Sequence, residues 1–179
     1  MYKNRAFTLI EALVVIGILT LMFALSIPAY RSYSRRNQLR QAAESVRSAL
    51  VEAQNMALAP KEKEGDWYYV VRLNSNPRYG SERDCQVGKI QAGVSDFQMM
   101  RNNQLPSSVK YISPNNSVWY IGFKPPQSEA YFLRRTGSTF MASKLTSDPT
   151  ITLCLIANCE KEKINVTLNH TTGQITINK

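Results

Sequence analysis

The residues with the most chemistry in them stand at the front of the chain, in the string Arg5-Ala6-Phe7-Thr8-Leu9-Ile10-Glu11 and the apolar run that follows from Ala12. Glu11 is the single charge in the 23 residues from Phe7 to Ala29. A carboxylate in a membrane-spanning helix costs about 2.5–3.5 kcal/mol near the centre and less near an end, so an isolated Glu there asks for a partner. A cut after Ala6 would make one, because the new α-amine of Phe7 is a positive charge one helical turn from Glu11. Between neighbouring chains in a helical bundle the same pair sets an axial stagger, each Glu11 meeting the amine of the next chain.

The rest of the chain offers little catalytic material. His170 is the only histidine, and neither a G-x-S-x-G string nor a phosphate-binding Gly-Lys-Ser/Thr loop is present. Acidic residues beyond position 60 are scattered or interleaved with lysine, as in Lys61-Glu62-Lys63-Glu64 and Glu160-Lys161-Glu162-Lys163, which read as solvated loop faces. No enzyme, cofactor or metal is expected, since His170 lies in a polar turn and no paired C-x-x-C spacing exists. Cys85, Cys154 and Cys159 are an odd number, so one thiol is left over from any single bridge. Cys154 and Cys159 are close enough in sequence to staple a loop outside the cytoplasm, and buried reduced thiols are an equal alternative.

Two kinds of element must carry these residues. Residues 7–29 give roughly 34 Å of helix at about 1.5 Å per residue, enough to cross a bilayer. Beyond them the pattern becomes amphipathic: Leu39, Ala42, Ala43, Val46, Ala49, Leu50, Ala53, Met56 and Ala57 recur at three- and four-residue intervals. One helix can continue through both stretches until Pro60, which lacks an amide hydrogen, so residues 7–59 are predicted to form a rod of roughly 80 Å. After Gly65 short β-prone runs alternate with turn residues: 67–73, 109–112, 118–123, 130–133, 151–156, 164–168 and 174–177. The last two read as a hairpin closed by Asn169-His170-Thr171-Thr172-Gly173. Residues 77–105 hold few apolar runs and read as a long loop.

At Phe7-Thr8-Leu9-Ile10-Glu11 the sequence resembles the processing motif of type IV pilins and type II secretion pseudopilins. The resemblance implies cleavage between Ala6 and Phe7 by a prepilin peptidase, N-methylation of Phe7, and a role for Phe7 and Glu11 in subunit assembly. The family usually has Gly before the cut, where this chain has Ala6. Pro28 matches a proline common in the family's spanning helix. Its physical effect is to remove one backbone hydrogen bond and kink or loosen the helix, and marking the membrane exit is the plainer alternative. A looser resemblance, from Arg40-Gln41-Ala42-Ala43-Glu44 through Leu50–Ala57 to the terminal hairpin, is to the GspH/FimT branch of minor pilins and pseudopilins.

The net charge of +9 has no basic block of the kind a dedicated nucleic-acid binder carries. Because some minor pilins of that branch serve DNA uptake, Arg134, Arg135, Lys161, Lys163 and Lys179 are candidate phosphate contacts, although ordinary surface charge is the favoured reading. Tyr111, Trp119, Tyr120 and Tyr131 are expected in the core or on strand faces rather than as stacking platforms. Two rivals share the N-terminus: a secretory signal cut at Ala24-Leu25-Ser26, releasing a β-rich binding domain from Ile27, and an uncut single-span anchor. Lys3 and Arg5 favour a cytoplasmic N-terminus, whereas Arg31, Arg35, Arg36 and Arg40 beyond the span pull the other way.

The expectation is an α+β subunit: leader 1–6, transmembrane and filament-core helix 7–29, amphipathic continuation 30–59, and a β-rich domain 60–179 on an antiparallel sheet. Its expected partners are membrane lipid before assembly, a prepilin peptidase, an inner-membrane assembly platform and other pilin or pseudopilin subunits, in a homo- or hetero-filament. The expected path runs from the cytoplasmic membrane, single-pass with the N-terminus inside, to a periplasmic or cell-surface filament.

Overall fold

The computed structural model describes residues 9–60, 66–94, 96–126, 129–137 and 139–178. One helix, α1, runs Leu9–Leu58 with Pro28 inside it. The chain divides between Asn37 and Gln38 into two compact units. In the second unit, α1 ends with the Ala59 amide donating to the Asn55 carbonyl at 3.0 Å, just before Pro60.

The narrow stripe of α1 forms one wall of the main core. Ala42, Ala43, Val46, Ala49, Leu50, Ala53 and Ala57 are fully buried, with Met56 packed at the margin. Five of these seven are alanines, so the helix backbone comes close to what it packs on. Two antiparallel sheets supply the other walls. The larger has the order β3-β2-β1-β5-β6-β7, formed by Trp67–Asn74 (β1), Asp84–Gln91 (β2), Phe97–Gln104 (β3), Val118–Phe123 (β5), Ala130–Thr136 (β6) and Thr139–Lys144 (β7). The smaller has the order β10-β9-β8-β4, with Val109–Ser113 (β4), Thr150–Leu155 (β8), Lys163–Leu168 (β9) and Ile175–Asn178 (β10).

Side-chain alternation assigns the faces. In the smaller sheet Ile151 faces Val166 and Leu153 faces Ile164, all in the core. Thr152 alternates outward and donates to Asn165 at 2.9 Å. In the larger sheet Tyr69, Val71 and Leu73 enter the main core, while Tyr68 and Val70 enter a second cluster with Ile90, Tyr120, Leu133 and Phe140. Strand β1 is therefore apolar on both faces. Tyr120 of β5 meets Phe97 of β3 at 6.0 Å and Phe140 of β7 at 4.9 Å between ring centroids, both edge to face. In a flat sheet β3 and β5 stand roughly 14 Å apart, so the sheet coils and the rings lean inward over this face.

The long loop expected over 77–105 is a correction: the segment holds β2 and β3. Strand β2, Asp-Cys-Gln-Val-Gly-Lys-Ile-Gln, buries polar Asp84 and Gln86 beside Cys85 and Val87. Strand β3 is an edge strand with mostly exposed residues, so neither shows an apolar run. Strand β7 was likewise not expected, and there are two sheets where one was expected. The terminal hairpin is present, with Leu168 opposite Ile175. The Asn169 side-chain oxygen accepts from the amides of Thr171 at 3.0 Å and Thr172 at 2.7 Å, and Gly173 adopts a positive φ of 70°. Asp148 pins this turn from outside, accepting from the His170 amide at 2.9 Å and lying 2.5 Å from its Nδ1.

Two outcomes follow from these contacts. At Gly88, where β2 shifts register against β3, a Cβ would collide with the Gln98 carbonyl oxygen and come within 2.7 Å of the Phe97 ring. Gly88→Ala should therefore lower unfolding stability by about 1–3 kcal/mol in urea titration, whereas Gly17→Ala, with open space around it, should not. The backbone and ring hydrogen bonds from His170 hold the Asp148 carboxyl below its ordinary pKa. Between the folded and unfolded values the unfolded chain binds more protons, so this contribution is whole above about pH 4 and is lost as pH falls further. The protection of amides 169–173, measured against their intrinsic exchange rates, should fall below that point, and Asp148→Asn should remove that fall.

Candidate functional site

The first unit is described by the stretch of α1 from Leu9 to Asn37. Its side chains from Leu9 to Ile27 include thirteen large apolar groups, all exposed. An 18-residue window here has a mean hydropathy of 2.5 with none of it buried, so the helix is long and apolar enough to cross a membrane. The two hydroxyls in this stretch are folded back on the helix, Thr20 Oγ1 donating to the Ile16 carbonyl and Ser26 Oγ to that of Met22, each at 2.8 Å. Neither therefore asks for a partner in an apolar medium. Pro28 has no amide hydrogen to give back along the helix, yet the helix continues through it.

Glu11 lies in the first described turn of α1. Ala6 and Phe7, the candidate cleavage, methylation and assembly residues, lie outside the described residues. Arg31, Arg35, Arg36 and Arg40 are exposed along the helix after the apolar stretch.

In the second unit Cys154 and Cys159 form a disulfide across the end of β8 and the short 3₁₀ turn Ile156–Asn158. Cys85 is free and fully buried, and burial pushes its thiol up to about 12. Burial likewise raises Tyr111 beside it well above the ordinary phenol range, and the Tyr111 hydroxyl donates to the Asp84 carbonyl at 3.3 Å. Tyr111 and Tyr120 are buried, while Trp119 and Tyr131 pack at the margins of the two clusters. His170 is engaged with Asp148 and with Thr171 Oγ1, 3.2 Å from Nε2. Among the described residues no group of three or more His, Cys, Asp or Glu is placed to hold a metal.

The candidate phosphate contacts fall on different sheets. Arg134 and Arg135 lie on β6 of the larger sheet; Lys163 begins β9 of the smaller, facing Cys154, with Lys161 in the turn before it. Lys179 lies outside the described residues. Sequence reading missed Arg72 on β1, a half-buried arginine in an otherwise apolar strand, whose type and setting were the available signal.

Comparison with known proteins adds to this geometry. A family model described as the prokaryotic N-terminal methylation motif matches residues 1–27. "Prepilin peptidase-dependent protein D" of Escherichia coli (strain K12) is 54% identical over 39 residues, 22% of this chain and 27% of that one. Two chains named "Fimbrial protein" from Pseudomonas aeruginosa are each 34% identical over 62 residues, 35% of this chain and 40% of theirs. The matched stretches thus span between about a quarter and two-fifths of these curated relatives. No solved structure matches the chain. The long N-terminal helix followed by antiparallel sheets has a pilin-like α+β layout, and the chain carries a prepilin-type N-terminal methylation motif of the kind that heads type IV pilins.

Proposed function

We propose that this chain is a structural subunit of a type IV pilus-like or type II secretion pseudopilus filament, most closely akin to the minor GspH/FimT-like subunits. What supports the reading is the methylation motif at the head of a helix whose apolar surface is exposed all round. Thirteen large apolar side chains, at about 1.5–3 kcal/mol for each one buried, represent on the order of tens of kcal/mol that water would oppose. A helix of that kind is stable in lipid or in a bundle of like helices. Its function is then to pass from the one to the other.

In this reading the precursor sits single-pass in the cytoplasmic membrane with its N-terminus inside. A prepilin peptidase cuts between Ala6 and Phe7, and Phe7 is N-methylated. An assembly platform draws the helix out of lipid into a filament, periplasmic or on the cell surface, beside other pilin or pseudopilin subunits. There Glu11 meets the Phe7 amine of a neighbouring chain, giving an apolar bundle one polar register mark per subunit. Pro28 provides a place for the helix to bend. The role is structural rather than catalytic.

Mass spectrometry of the mature chain from membranes or sheared surface material should find N-methylated Phe7 at its start. A start at Ile27 would instead make this a secreted domain, and an intact Met1 a plain anchor. Glu11→Ala should leave membrane insertion intact and prevent filament incorporation, read by comparing membrane and sheared fractions; normal incorporation would remove the assembly role of Glu11. Because Ala6 stands where the family usually has Gly, Ala6→Gly should be processed at least as fast as the native chain in a pulse-chase experiment.

A further inference from the structure

The second face of the larger sheet opens at one end into a cleft of about 820 Å³. Strand pairing builds it. Arg72 of β1 stands opposite Tyr120 of β5, and Tyr120 opposite Leu133 of β6, so two positions further along β6 bring Arg135 to the same face. Arg134 and Arg135 line the cleft from β6, and Tyr79 from the 3₁₀ turn Pro77–Tyr79.

The charge of this cleft is uncompensated. Among the described residues no Asp or Glu lines it. Arg72 donates through Nη1 to Gln86 Oε1 at 2.7 Å and through Nη2 to the Tyr79 carbonyl at 2.5 Å, both neutral acceptors, and its Nε–H is sealed from water without any acceptor. Arg134 and Arg135 are exposed and form no ion pair among the described residues. A half-buried guanidinium held only by neutral groups gains from a counter-charge placed beside it, and guanidinium groups suit planar carboxylates. The volume is in the range of small-ligand sites.

The remaining lining narrows the ligand class. Tyr120 is packed edge to face between Phe97 and Phe140, and Phe132 lies edge to face against Trp119 at 5.9 Å. Tyr79, 60% exposed, is then the one open ring at the rim. A single nucleic-acid strand is gripped by successive stacking platforms, which this cleft lacks. An acidic sugar asks for one anion clamp, one ring face and a few amide or hydroxyl partners, and Asn116 and Ser117 stand in the wall to supply the last. We propose that this cleft binds an acidic sugar unit, its carboxylate between Arg72 and Arg135 and its ring face against Tyr79. The proposal goes beyond the filament reading and does not depend on it.

The test uses the full chain in a neutral detergent without sugar groups, titrated by calorimetry with oligogalacturonate and with N-acetylneuraminate. At least one should bind, with affinity that falls as salt rises, and a neutral oligosaccharide of equal length should not. Arg135→Gln, on an exposed strand end, should keep the native unfolding profile and weaken binding at least about tenfold; Tyr79→Ala should weaken it as well. Failure of both acidic sugars to bind overturns the proposal, as does binding unchanged in Arg135→Gln. Binding of oligothymidylate through the same arginines, with no acidic sugar bound, would assign the cleft to nucleic acid instead.

Discussion

One helix has to satisfy two solvents, and most of the structure answers that constraint. From Leu9 to Ile27, Glu11 is the one charge in α1, and its hydroxyls bond back to its own carbonyls, so that stretch suits a medium without water. From Leu39 onward it has only a stripe to bury, and that stripe is mostly alanine. Small side chains let two sheets approach the helix closely, and the core they share holds residues from both sheets. Ala43 and Ala53 are fully buried, so enlarging either would overpack this core.

The sequence made the helix legible because its two halves carry different and clean patterns, an unbroken apolar run and then a three-to-four spacing that stops before Pro60. Strands with apolar alternation, such as those ending in the terminal hairpin, were legible for the same reason. The strands that escaped are those where packing is not written as alternation. In β2 the buried residues include Asp84 and Gln86, whose burial depends on partners far along the chain: Arg72 bonds Gln86, and Gln104 lies 3.5 Å from Asp84. β3 and β7 are the two edges of the larger sheet, and they contribute single aromatics, Phe97 and Phe140, to a cluster centred on Tyr120. One aromatic per strand leaves no periodic signal. The N-terminal motif was legible because its chemistry is contiguous, whereas the arginine cleft joins residues 72 and 135 through a strand pairing that no local pattern announces.

That second aromatic cluster explains why the cleft exists. A sheet with one apolar face would end flat against water on the other. Here the coil of the sheet brings Phe97 and Phe140 over Tyr120, and Arg72, paired with Tyr120, and Arg135, paired with Phe140, stand directly beside these rings. The sheet therefore changes along one face from an aromatic core to a cationic cavity. Gly122 lies one pair further from the cleft, opposite Val70 and Tyr131. A Cβ there would come within 2.6 Å of Leu133 Cδ1 and 3.1 Å of Val70 Cγ2, so its lack of a side chain lets β1, β5 and β6 pack together.

The odd cysteine fits the same economy of placement. A free thiol beside a disulfide is a hazard wherever disulfides persist, because a thiolate attacks the bridge and reshuffles it. The nucleophile is the thiolate alone, and burial pushes the Cys85 thiol up to about 12, which keeps it protonated at neutral pH. Cys85 is also fully buried against Tyr111 in the main core, while the Cys154–Cys159 bridge closes a loop at the end of β8. Burial thus makes Cys85 inert in two ways, by protonation and by inaccessibility. Opening the core would remove both at once, so the hazard is confined to the unfolded chain, before the bridge has a fold to protect.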